Sequence, residues 1–115
     1  MTNQTAFNRV VRHLRKQGEK SIANINHVDK CRYRGPRGLK CAIGCLIPDK
    51  EYRPSLEGLV ASAIVNRCPT IKNLDVKLLD GLQFIHDNIP ICSWESELEI
   101  IAKVYKLKFP NIKAQ

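Results

Sequence analysis

Residues 30–49 read KCRYRGPRGLKCAIGCLIPD, from Lys30 to Asp49, and the fold is read outward from them. Two short runs, Cys31-Arg32-Tyr33-Arg34 and Leu39-Lys40-Cys41-Ala42, flank Gly35-Pro36-Arg37-Gly38. Two glycines and a proline between short runs are turn chemistry, so a β-hairpin is expected here with Cys31 nearly opposite Cys41. The apolar segment Ala42–Ile47 that follows is expected to be buried, but its length and pattern fit a short helix as well as a strand.

Around this centre the periodicity is helical. From Thr5, residues Ala6, Phe7, Val10, Val11 and Leu14 recur at three- and four-residue spacing, and Gly18 ends the pattern. Ser21–Asp29 fits either a strand or a loop, and Asp49–Ser55 reads as a surface loop. A second helix is expected over about 56–67, with Ser55 as its cap and Pro69 beyond its end. Asn73 is expected to cap a third helix ending before Pro90, and Ser93 to open a fourth with Glu95 and Glu97 in its first turn. The fold class is therefore α+β and mainly helical, with about four helices packed around one short β-hairpin. At 115 residues the chain is expected to form a single domain, with 110–115 as a frayed tail.

Charge bounds the function. Nineteen Lys and Arg face eleven acidic residues, a formal +8, which favours polyanions or acidic protein surfaces. Residues 1–57 hold 12 basic and 5 acidic side chains and 58–115 hold 7 and 6, so the excess lies in the N-terminal half. The sequence offers no run near the roughly 20 apolar residues of a membrane helix, and MTNQTAFNRVV lacks the charged-then-apolar order of a secretory signal. A cytosolic location without a membrane partner is expected, and there the five cysteines are thiols or metal ligands rather than a disulfide framework.

The stretches CRYRGPRGLKCAIGCLIPD (31–49), EYRPSLEG (51–58) and LQFIHD (82–87) resemble small proteins encoded by tailed bacteriophages and prophage-bearing bacteria. The C-x-Y-R, L-K-C-A-I-G and L-I-P-D elements carry the resemblance, which spans most of the chain. It implies a phage or bacterial origin and a cytoplasmic setting in the bacterial host. No catalytic residue is carried over with it.

Three chemistries are open. The first is basic. Arg9, Arg12, Arg15 and Lys16 gather along one flank of the first helix, and Lys30, Arg32, Arg34, Arg37 and Lys40 surround Tyr33. Guanidinium groups beside an aromatic suit phosphate contact and base stacking, hence nucleic acid or a phosphate-rich ligand. The same charges equally suit a solubilising edge hairpin, or docking on an acidic host protein. The second is zinc, for which His27-x3-Cys31-x9-Cys41-x3-Cys45 supplies four nitrogen and sulfur donors. The third is a Cys45 nucleophile with His86 as base and Asp87 as orienter. Motifs for a phosphate-cradling glycine loop, G-x-S-x-G or H-E-x-x-H are missing from the sequence, so the chemistry leans away from an enzyme and towards no cofactor. His13, between Arg12 and Arg15, is expected on the solvated flank. The favoured expectation is a small phage accessory protein that binds through its basic surface, and the resemblance alone implies that such a product counters host defences or redirects host machinery.

Overall fold

The computed structural model describes residues 1–110. It is a mainly helical α+β fold with four α-helices and one two-stranded antiparallel hairpin. The last residues of the expected frayed tail, 111–115, lie outside the described residues.

Helix α1 spans Asn3–Gln17 and buries the expected face, Ala6, Phe7, Val10, Val11 and Leu14. Thr2 caps its start by accepting from the Thr5 amide, and Gly18, at φ 65°, closes its end by donating to the Leu14 carbonyl. Only a residue comfortable in the left-handed region ends a helix this way.

The hairpin lies one segment earlier than expected. Strand β1 is Ile22–Ile25 and β2 is Val28–Cys31, and Cys31 pairs with Ile22 rather than with Cys41. Asn26 and His27, at φ 51° and 66°, form the two-residue left-handed turn that matches strand twist. Around Gly35–Gly38 the ladder shrinks to one bridge, Arg34 with Lys40, closed by Gly35 N–H donating to Leu39 O at 2.8 Å. The cause is a competing acceptor: the amides of Tyr33 and Arg34 donate to the Glu57 carboxylate at 2.9 and 3.1 Å. A strand whose amides are taken by a side chain has none left for a partner strand.

The Ala42–Ile47 segment is neither helix nor strand but contains a 3-10 turn, Gly44–Leu46, buried apart from the half-exposed Cys45. A Cβ on Gly44 would stand 2.1 Å from the Tyr33 carbonyl oxygen, so the two backbones touch here only because residue 44 is glycine.

The second helix is shorter than expected. Helix α2 covers only Ala61–Ile64, because Pro54–Leu56 turns as 3-10 and Gly58, at φ 80°, breaks the run. Helix α3 spans Val76–Asn88 and is capped by Asp75, which accepts from the amides of Lys77 and Leu78, rather than by Asn73. Helix α4 spans Trp94–Val104, with Glu95 and Glu97 in its first turn. One apolar cluster runs from Ala6 to Ala102 and joins α1, the 41–47 segment, α2, α3 and α4. Among the described residues two polar side chains are buried in it, Ser21 and His86, and the backbone of one meets the ring of the other. Ser21 N–H donates to His86 Nε2 at 2.9 Å, and Ser21 Oγ donates to Arg32 O at 2.8 Å, so the root of the hairpin is tied to α3. No helix of the described residues is long and apolar enough to cross a membrane.

Candidate functional site

The ten expected basic-surface residues separate into two groups. Most of the arginines in the 30–40 loop are spent on the protein itself. Arg34 donates to Asp49 at 2.7 Å and to Ile47 O at 2.8 Å, and its guanidinium lies 4.7 Å from the centre of the Tyr52 ring. Arg32 stands 3.8 Å from Glu57, and Arg37 donates to Glu19 at 3.0 Å. Tyr33, expected beside the arginines as a stacking surface, is buried, with its hydroxyl donating to Leu59 O. A base cannot reach that ring. Arg15 on α1 is likewise spent, gripping Glu95 through two bonds of 2.9 and 2.8 Å and lying over Phe109. Lys30 is exposed on β2.

What remains is a cluster on α1. At about 100° per residue, Arg9, Arg12, His13 and Lys16 fall within one sector of the helix, and Arg15 is turned away from it towards α4. Among the described residues, none of Arg9, Arg12, Lys16 and Lys40 pairs with a carboxylate. Lys40 joins them because its peptide is clamped to the helix. His13 Nε2 and Gln17 Nε2 each donate to Lys40 O at 2.8 Å, and Lys40 N–H donates to Gln17 Oε1 at 2.9 Å. A hollow of about 260 Å³ is lined by Arg9, Arg12, His13, Lys40 and Cys45. A second of about 450 Å³ is lined by His13, Lys16, Gln17, Gly38, Leu39 and Lys40. Among the described residues, no carboxylate lines either one. Cations without counter-ions around a concave wall bind anions at no cost in broken ion pairs. Burial lowers the His13 pKa, with the bond to the Lys40 carbonyl opposing and the Lys40 charge adding to the fall. The imidazole therefore stands neutral at pH 7, with its proton on Nε2.

The four expected metal ligands are not brought together. His27 sits at the exposed tip of the hairpin and Cys31 at the far end of β2, about 13 Å away at strand rise. Cys41 is buried and accepts from Gly44 N–H, and Cys45 donates to Ala42 O. The cluster that does form is Cys31, His86 and Asp87, whose donor atoms lie within 4.8 Å of one another. His86 Nε2 already accepts from Ser21, so its proton is on Nδ1 and donates to Asp87 at 2.7 Å. Neither nitrogen offers a free lone pair to a metal or to a proton in transit. Burial opposes the Asp87 charge, but bonds from His86, Cys31 and Gln83 hold its pKa below the usual value.

The thiols are equally unready. Burial and the Asp87 carboxylate push Cys31 up to about 11. Burial pushes Cys45 up to about 12 despite Lys40 and Arg9 nearby. The cysteine beside His86 and Asp87 is therefore Cys31 rather than Cys45, and both thiols stay protonated where a nucleophile needs thiolate.

His13, expected on a solvated flank, is half-buried beside Lys40, and Gln17 was not among the expected site residues. His13 stands four residues after Arg9, which puts it on the same sector and was readable. Gln17 carried no such signal, because its role depends on a loop 23 residues away. No family model, no curated protein and no solved structure matches the chain.

Proposed function

We propose that this chain is a binding protein that takes nucleic acid by its phosphates along the α1 flank, and that it serves as a phage or prophage accessory product in the bacterial cytoplasm. The observation behind this reading is the group Arg9, Arg12, Lys16 and Lys40, without carboxylate partners among the described residues and arranged around concave walls. Phosphate contacts made by such cations release counter-ions, so affinity should fall steeply as salt rises. The resemblance to phage proteins supports the setting, and countering a host defence is the role that setting suggests. The test is binding of a labelled oligonucleotide across a salt series, with Arg12→Glu beside the native chain. Steep salt dependence and a large loss in the variant are expected. Binding indifferent to both removes the reading.

A second reading, docking on an acidic host protein, draws on a different feature. Phe84 of α3 and Ile100 and Val104 of α4 are exposed apolar side chains, the first two lining a shallow hollow of about 200 Å³. Basic and apolar surface on one small protein suits a protein partner. Pulldown from host lysate with and without nuclease separates the two, because only a nucleic-acid-mediated capture disappears with nuclease.

A further inference from the structure

The two hollows described above share a wall. His13 and Lys40 line both, so the chambers adjoin one another at the clamp. Their chemistry differs. The first has three cationic side chains around a small volume with Cys45 among its walls. Its backbone acceptor, Lys40 O, is already engaged by His13 and Gln17, so it does not present a free lone pair to an entering anion. The second is larger and mixed, with Leu39 and Gly38 beside Lys16 and Gln17. At about 260 Å³ the first lies below the roughly 300–1,000 Å³ of small-ligand clefts, and the second, at about 450 Å³, lies within it. A ligand with a compact anionic end and a bulkier, half-polar body matches that sequence of chambers.

We infer that the site seats one nucleotide of a single strand or strand end, with the phosphate against Arg9, Arg12 and Lys40 and the nucleoside in the neighbouring chamber past His13. This deepens the nucleic-acid reading and rests on it. The imidazole of His13, common to both chambers, is the planar surface offered to a base, in place of the inaccessible Tyr33 ring. A duplex keeps its bases paired and stacked, so it offers the site phosphates alone and leaves the second chamber empty. Single strands are therefore preferred over duplexes of equal length, a preference that charge alone does not produce, since a duplex carries more of it.

The experiment is amide-resolved NMR titration of the full chain with inorganic phosphate, adenosine 5′-monophosphate, a single-stranded dodecamer and the matching duplex. Phosphate is expected to move the amides of Arg9, Arg12, His13 and Cys45. The mononucleotide should move these and also Gln17, Gly38 and Leu39, binding about tenfold tighter than phosphate, the low end of what base stacking supplies. Arg12→Ala should weaken both ligands, and the single strand should outcompete the duplex. A mononucleotide that behaves like phosphate, with the duplex bound as well as the single strand, overturns this inference and leaves the nucleic-acid reading standing. Failure of all four probes to bind removes both.

Discussion

Two groups of arginines, close in sequence and alike in composition, do different work. Arg32, Arg34 and Arg37 each face a carboxylate, whereas Arg9 and Arg12 face none among the described residues. The difference lies in what each group's backbone was doing. The loop has little regular pairing, so its chain is held by side chains: Glu57 takes two successive amides, and Arg34 reaches back to Ile47 O. The helix satisfies its own amides and needs no such help, so Arg9 and Arg12 stay unpaired among the described residues, and Arg15 is spent only where α4 brings Glu95 against it. Charge density along a sequence therefore says less about binding than whether the local backbone is self-sufficient.

The largest effect should come from removing the acid that organises the loop. Glu57→Ala strands two backbone amides and the Tyr52 hydroxyl, which donates to Glu57 at 2.7 Å. A stability loss of about 3 kcal/mol in urea unfolding is expected, with oligonucleotide affinity retained wherever the variant is still folded. Affinity that collapses in step with Glu57 would merge the two groups into one site. Next comes the converse pair, Arg9→Glu with Arg12→Glu. Affinity should drop roughly a hundredfold at low salt and the salt slope should fall by about 2, while stability stays within about 0.5 kcal/mol. Arg34→Ala sits between them in kind and below them in size. Losing its bonds to Asp49 and Ile47 O and its place over Tyr52 should cost about 1–2 kcal/mol, with affinity changed less than twofold or so.

A pH series sharpens the contrast further. The His13 pKa is lowered in the folded chain, so below about 6.5 the unfolded chain takes up this proton first and stability falls with pH. Affinity for a single-stranded oligonucleotide, whose phosphodiesters keep their charge over this range, should move the other way, because an imidazolium adds charge to a wall already formed by Arg9, Arg12, Lys16 and Lys40. His13→Gln keeps a donor for Lys40 O and should flatten both trends at once, which calorimetry across pH 5–7.5 would read. The smallest effect expected is none. Dialysis against a chelator should leave the melting curve unchanged, and alkylation at pH 8 should reach the exposed Cys92 long before Cys31 or Cys45.

The helices were legible where one face alone decided them. Helix α1 has apolar spacing and a Gly18 terminator that agree, and α4 opens at Ser93 with Glu95 and Glu97 in its first turn, although the Ser93 side chain makes no capping bond. The hairpin was misplaced because glycine and proline mark a turn without saying whether strands flank it. Asn26-His27 carried the true turn in a segment where β-branched residues and asparagines mix. The truncated α2 failed for a related reason: Gly58 stood in plain view inside the expected helix, but the pull on Glu57 by the Tyr33 and Arg34 amides comes from across the fold, invisible in a local window. Of the candidate site, Arg9, Arg12, Lys16 and Lys40 were readable from spacing and charge. Their separation from Arg15, Arg32, Arg34 and Arg37 was not, because it depends on where Glu95, Glu57, Asp49 and Glu19 come to lie.

The clamp of His13 and Gln17 on the Lys40 peptide has one more consequence. The walls of the furrow come from two stretches more than twenty residues apart in the chain, and unfolding separates them. Any occupant therefore recognises only the folded chain, and at a hundred times its dissociation constant it raises the unfolding free energy by about 2.7 kcal/mol. Heating the protein with one compound at a time turns that gain into a search for its natural cargo.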